Sequence, residues 1–320
     1  MRPRRETLIV GALCVAWYTL SSASNVVGKL VLTEFPFPVT VTLVQLLSTV
    51  VYSAPAFAVA GVRRAPSFPL RFYWRVLVPL AFAKFLTTMF SQVSIWKVPI
   101  SYAHTVKATT PLWTAGLAYA LFGERAPRNV QAALLLLAAG VALASATELH
   151  FDALGLGAAL AAAALLSLQH LYSKRVMRDT AVHHLRLLQM LSGIALVPVV
   201  PVWALSEGAA VWRAGVAGGA WGAGGAWGAG GARTGALLAA DGALAWLQAV
   251  AAFSVLSRVT PLAYAVASAA KRAAVVLASL LLLRNPAPPL NLLGMALALL
   301  GVLAYNRAKL RAAAPPLLPV

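Results

Sequence analysis

Five cationic side chains, Lys29, Lys84, Lys107, Lys271 and Arg272, fall inside long apolar stretches of the chain. A charge at the centre of a bilayer costs about 2.5–3.5 kcal/mol on insertion scales, so it is kept where it is paired or functional. The apolar stretches are read as offering these cations no Asp or Glu, which leaves an anionic substrate as the transient partner. A small phosphate ester is the expected class. Arg presents a planar fork that matches phosphate oxygens, and Lys a compact point charge.

Spacing sets the depth of these groups. Lys107 follows Pro99 by eight residues and Lys271 follows Pro261 by ten. At helical rise that is about 12 and 15 Å, near the middle of a roughly 30 Å core. Snorkelling is the competing reading, but a side chain of about 6 Å barely reaches the interface from there. Arg272 adjoins Lys271 and points about 100° away, so one of the two faces a cavity and the other its wall.

Around this trio lies a second set of polar groups. Lys84, Thr88 and Ser91 share one helical face at i, i+4 and i+7, a stripe that suits either a cavity lining or helix packing through hydroxyls. Ser22, Asn25 and Lys29 form a similar face, with Lys29 close enough to its span's end to snorkel. His104, one turn before Lys107, bonds an oxyanion or, by preference, a neighbouring helix. Gln169, Tyr172 and Gln248 are uncharged groups at depth that could bond a sugar hydroxyl or another helix. His150, His183 and His184 sit at loops and read as solvated.

The elements that carry these residues are helices. The 320-residue chain is 61% hydrophobic and only 11% charged, with a mean hydropathy of +0.80. A soluble domain holds about 25% charged residues, so composition excludes that class. Apolar runs fall near 7–32, 38–61, 73–96, 99–122, 129–147, 153–174, 185–206, 235–257, 261–283 and 289–306, each near the roughly 20 residues a span needs. None alternates with period two, so no strand is expected. The first run is expected to act as an uncleaved signal anchor.

The net charge of +18 reports topology and lipid contact here rather than nucleic acid. With the N-terminus cytosolic, the cytosolic segments hold seventeen cations, from Arg2, Arg4 and Arg5 to Arg307, Lys309 and Arg311. The opposite side holds four: Lys97, Arg213, Arg233 and Arg284. Both termini are therefore expected in the cytosol.

A weak repeat runs through the chain. Pro99-x-x-Tyr102 opens the fourth run and Pro261-x-x-Tyr264 the ninth, each 25 residues before a run's end, at Glu124 and Pro286. An offset of five helices is odd, so the two halves run oppositely through the membrane. The expected architecture is all-α: ten transmembrane helices as two inverted five-helix repeats, 1–150 and 151–312, with a short tail at 313–320. Within the second half, residues 213–234 carry a Gly-Gly-Ala-Trp-Gly-Ala hexad from Gly218 that repeats from Gly224, and read as a flexible, variable loop.

Other chemistry lacks its signals. Cys14 is the one cysteine, so neither a disulfide framework nor a Cys-based metal site is expected. The H-E-x-x-H, G-x-x-x-x-G-K-[ST] and G-x-S-x-G patterns do not occur, and an enzyme, a cofactor and a metal site are not expected.

Three stretches carry a resemblance. Residues Ser94 to Ala108, with Trp96-Lys97-Val98-Pro99 and Tyr102-Ala103-His104-Thr105-Val106-Lys107, resemble the span-three/four signature of the triose-phosphate translocator family. That family lies within the drug/metabolite transporter superfamily. Tyr172-Ser173-Lys174-Arg175 is similar to the end of its span six, and Pro261-Leu262 through Lys271-Arg272, followed by Asn285-Pro286, to its span nine. The similarity spans about 1–210 and 235–310 and is nearest the E branch of solute carrier family 35.

The resemblance implies the drug/metabolite transporter fold and an antiporter that exchanges a phosphorylated metabolite for phosphate or another anion. It implies that Lys107, Lys271 and Arg272 hold phosphate and that Ser91 falls on a phosphate-holding threonine. Departures lie elsewhere: a family histidine falls on Thr88, a span-six arginine on Gln169 and a span-eight tyrosine on Gln248. The phosphate end thus resembles the family and the other end differs. A Golgi or endoplasmic-reticulum membrane is the expected location. A nucleotide-sugar antiporter and a non-transporting scaffold or trafficking protein are the alternatives.

Overall fold

The computed structural model describes residues 2–59, 68–123, 125–180, 182–217, 229–256, 258, 261–283 and 287–313. The described residues are helical almost throughout. In chain order they form α1 (Arg2–Glu34), α2 (Pro38–Val59), α3 (Leu70–Phe72), α4 (Val78–Lys97), α5 (Ile100–Lys107), α6 (Thr110–Phe122) and α7 (Arg128–Ala146). There follow α8 (Ala153–Thr180), α9 (His184–Trp203), α10 (Ala209–Ala217), α11 (Ala229–Leu256), α12 (Pro261–Leu283) and α13 (Pro289–Ala313).

Eight helices among the described residues are long and apolar enough to cross a membrane. Two π-helical turns join shorter pieces into such rods: Tyr73–Leu77 links α3 to α4, and Ala204–Gly208 links α9 to α10. A proline accounts for the first. Pro79 cannot donate to the carbonyl of Arg75, so the ladder widens ahead of it, and Pro198 and Pro201 sit just before the second turn. Large apolar side chains point outward, with Leu205 90%, Leu281 72% and Leu135 71% exposed. On a soluble protein such a belt would be a liability; against lipid tails it is the required surface.

Of the remaining two expected spans, the fourth takes a different form. The run 99–122 is not one helix but two, α5 and α6, separated at Ala108 and Thr109. Three groups cause the break. Pro111 withholds its N–H, while the Thr109 and Thr110 hydroxyls donate back to the carbonyls of Val106 and Lys107 at 2.8 and 2.7 Å. From α8, the Ser167 hydroxyl donates to the Thr110 carbonyl at 2.9 Å. The ninth run is a single helix, α12, with Lys271 and Arg272 near its middle.

The core forms around the first half of this broken pair. Ile100, Tyr102, Ala103 and Val106 of α5 are fully buried among Val31 of α1, Leu137 of α7, Val275 of α12 and Ala298 of α13. Small residues let α7 and α13 close on each other. A Cβ on Gly140 would collide with the backbone nitrogen of Ala298, and one on Gly301 would lie 2.6 Å from the Leu137 Cα. Glu207, within the second π turn, is buried and closes the start of α2. It accepts hydrogen bonds from the backbone N–H groups of Val39 (3.0 Å) and Thr40 (2.7 Å) and from the Thr40 hydroxyl (2.8 Å).

The loop expected at 213–234 is narrower than its composition implied. α10 continues to Ala217 and α11 begins at Ala229, and Arg233 of α11 pairs with Glu34 at 2.7 Å. Repeat pitch in the Gly-Trp stretch misled: Gly and Ala flanks can extend a helix begun by apolar neighbours. The centre of that stretch, 218–228, lies outside the described residues, as do Arg63, Arg64, Glu124, Arg284, Asn285 and Pro286.

Replacing Gly140 with Leu should cost about 3 kcal/mol or more, since backbone rather than a pliable side chain blocks the new atoms. Gly157→Leu, where nothing lies within 4 Å of the added Cβ, should stay within about 0.5 kcal/mol of wild type. Thermal unfolding of the purified protein in detergent reads the difference.

Candidate functional site

The break in the fourth run decides where its lysine sits. Lys107 is the last residue of α5, so its charge lies beside the carbonyl end of a short buried helix, the favourable end for a cation. Its Nζ donates to the Ser91 hydroxyl of α4 at 2.6 Å. Helix α12 packs against α5 and brings two more cations, and Lys107 interacts electrostatically with both Lys271 and Arg272. The Lys271 Nζ also stands 5.2 Å from the centre of the Trp17 ring. His104, a turn earlier on α5, feels all three charges and meets the Asn25 side-chain oxygen through Nε2 at 2.7 Å.

Ser91 and Asn25 both face a cavity of about 190 Å³ between α1, α2, α4 and α11. Thr88 and Gln92 of α4 share its wall, with Gln45 of α2 and Gln248 of α11 across from them. Eight of the twelve lining residues carry a hydroxyl or a carboxamide.

One lining residue overturns an expectation. Asp241 of α11 lies within the run 235–257, is 0% exposed and faces this cavity, so the long apolar runs do contain a carboxylate. Its Oδ2 accepts from Gln45 Nε2 at 2.7 Å, and Gln45 Oε1 in turn accepts from Gln92 Nε2 at 2.8 Å. The neighbouring Gly242 makes that contact possible, because a Cβ there would strike the Ser48 hydroxyl of α2. The signal was present in the sequence as an acid eight residues past Arg233, at a depth of about 12 Å. A search for cations alone passes over it.

The expected site residues separate into groups. Thr88, Ser91 and Gln248 line the cavity, Lys107 joins it through Ser91, and His104 joins it through Asn25. Lys271 and Arg272 complete the cation cluster beside Lys107. Lys84 and Gln169 do not line this cavity. Lys84 shows its part through the backbone, its carbonyl accepting from the Thr88 hydroxyl at 3.0 Å.

Lys29 has a structural task. Its Nζ donates to the carbonyls of Ile95 (2.7 Å), Trp96 (3.2 Å) and Val98 (3.2 Å), closing the C-terminal end of α4 where helix bonds run out. His150 and His183 are exposed.

Comparison with known proteins follows the same lines. The model of the Triose-phosphate Transporter family matches residues 8–306. A phosphoenolpyruvate/phosphate translocator 3, chloroplastic, of Oryza sativa subsp. japonica is 32% identical over 95% of this chain and 75% of its own. A glucose-6-phosphate/phosphate translocator 1, chloroplastic, of Arabidopsis thaliana is 27% identical over 95% of this chain and 76% of its own. One solved crystal structure shares the fold at a TM-score of 0.55 and 18% identity, over 97% of this chain and 99% of its own.

Lys29→Met should lower stability by about 1.5–3 kcal/mol by leaving the end of α4 without its charged donor. Anion binding by the protein that stays folded should not change. A loss of binding with intact thermal stability would instead give Lys29 a place at the site.

Proposed function

The chain belongs to the Triose-phosphate Transporter family, a family of transporters rather than enzymes, and from that premise we propose a specific exchange. The protein is an antiporter that swaps a phosphorylated metabolite for inorganic phosphate or another anion by alternating access. One observation carries this reading: Lys107, Lys271 and Arg272 gather at the end of a helix broken inside an apolar fold, and Ser91 links Lys107 to a polar cavity. A scaffold has no use for such a cluster, and lipid offers it no counter-charge.

Lys107, Lys271 and Arg272 hold the phosphoryl oxygens, with Ser91 as a neutral donor beside them. Thr88 and Gln248 read the rest of the substrate, with Gln169, His104 and Lys84 in supporting positions. The substrate and counter-anion meet this site in turn. Ten spans in two inverted five-helix repeats give it two faces, and the break between α5 and α6 supports that plan, since carriers of this kind bind at discontinuous helices near the midplane. Both termini face the cytosol, an orientation that the seventeen-to-four distribution of cations supports. The location is a Golgi or endoplasmic-reticulum membrane, as the resemblance to the E branch implies.

Exchange rather than net flux follows from charge. Three cations and the single carboxylate of Asp241 leave the unloaded site positive, and carrying that charge through a closed, low-dielectric intermediate is slow. A bound dianion cancels it and frees the switch. Proteoliposomes loaded with phosphate should take up labelled phosphate rapidly, and Lys271→Gln should reduce that rate about 10- to 100-fold, as loss of a charge-assisted contact predicts. Rapid net uptake into vesicles containing no counter-anion would overturn the exchange mechanism.

A further inference from the structure

The cavity wall is not chemically even. Three of its side-chain oxygens are buried without a hydrogen-bond partner: Gln92 Oε1, Asp241 Oδ1 and Gln248 Oε1. All three are acceptors, and none of the unpartnered buried atoms on the described wall is a donor. A buried acceptor left dry destabilises the protein, so the wall is built to meet donors brought by something else.

Asp241 sets this polarity. An ionised carboxylate only accepts, so the Gln45 amide must turn its NH2 toward Asp241 Oδ2 at 2.7 Å. That leaves Gln45 Oε1 to receive Gln92 Nε2 at 2.8 Å, and so turns the Gln92 oxygen outward. The direction of the whole chain is fixed by the acid at its end, not by an arbitrary choice of amide rotamer. Gly28 of α1 lets the two helices close at Asp241 Oδ1, since a Cβ there would sit 3.2 Å from that oxygen. Among the described residues no cation forms an ion pair with Asp241, and Gln45 is its hydrogen-bond partner.

We propose that this wall selects the non-phosphate part of the substrate: it accepts a group rich in hydroxyl donors and rejects phosphate esters that carry a second anionic group, with Asp241 as the specificity-determining residue. The proposal rests on the reading of Lys107, Lys271 and Arg272 as the phosphate holders. Hydroxyls satisfy the three oxygens. A carboxylate brings more acceptors to acceptors and more negative charge to Asp241, which is a penalty built against the wrong ligand rather than a missing contact for it. A site made to bond hydroxyls discriminates strongly, because a ligand without them leaves its buried oxygens unpaired.

A matched pair of probes tests this. Glycerol 3-phosphate and 3-phosphoglycerate share a three-carbon frame and a phosphate, and differ in a terminal hydroxymethyl against a carboxylate. Purified full-length protein in proteoliposomes is loaded with inorganic phosphate, and each probe competes with labelled phosphate from outside. The wild type should prefer glycerol 3-phosphate at least about tenfold, the scale at which opposed charges discriminate. Asp241→Asn, isosteric and uncharged, should shrink that ratio to about threefold or less by admitting the carboxylate. The ratio within one variant is unaffected by a general loss of activity. Should Asp241→Asn carry no exchange, displacement of labelled phosphate from the purified variant reads the same ratio.

Each other outcome overturns something definite. A wild type that exchanges phosphate but takes both probes alike, or favours the carboxylate, refutes the selectivity while leaving the phosphate antiporter standing. A ratio unchanged in Asp241→Asn removes Asp241 from the role. Failure of the wild type to exchange phosphate at all, or exchange indifferent to Lys107→Gln, refutes the antiporter and this inference with it.

Discussion

The structure is organised around positive charge held at half-buried positions inside an apolar helical fold. Lys107, Lys271 and Arg272 act on one another inside an apolar helical fold, and their mutual repulsion opposes close packing. Two features offset part of that cost. Lys107 stands at the carbonyl end of α5, where backbone dipoles favour a cation, and its Nζ donates to Ser91. In the proposed exchange an entering anion meets more of that cost, so the site would be least comfortable when unloaded. A carrier needs such discomfort, because a fully satisfied resting state would have no reason to bind.

Everything else positions that cluster. The hydroxyls of Thr109 and Thr110, together with Pro111, end α5 at the lysine rather than carrying it through a continuous rod. Glycines on α7 and α13 let two backbones touch beside α5, so the short helix is clamped on a side where it has no length of its own to rely on. Gly242 leaves room for the Ser48 side chain of α2, and so lets α11 bring Asp241 to Gln45. The result is a cavity with unlike chemistry along its wall: cations reached through Ser91, and unpartnered acceptors on Gln92, Asp241 and Gln248.

Much of this was legible in sequence, because membrane helices must be long and apolar and a charge inside one stands out. Length and hydropathy located eight of the ten expected spans, and the Pro-bounded runs placed Lys107 and Lys271 on helices. What escaped was tertiary. A Thr-Thr-Pro step inside an apolar run looks like continuous helix until Ser167 from another helix is seen to bond the Thr110 carbonyl beside the break. Lys29 has the same local pattern as a cavity lysine, and the carbonyls it closes are 66 to 69 residues away. Asp241 needed no tertiary knowledge, only an equal search for acids.

Binding of phosphate itself tests the central claim most directly. Ligand that binds only the folded protein raises its stability, by about 2.7 kcal/mol at a hundred times the dissociation constant. At constant ionic strength, phosphate should raise the melting temperature of the purified protein in a concentration-dependent way that chloride does not reproduce. The same titration on Lys107→Gln should be flat. Equal stabilisation by chloride, or an undiminished phosphate effect in Lys107→Gln, would contradict the account that this buried cation cluster exists to hold phosphate.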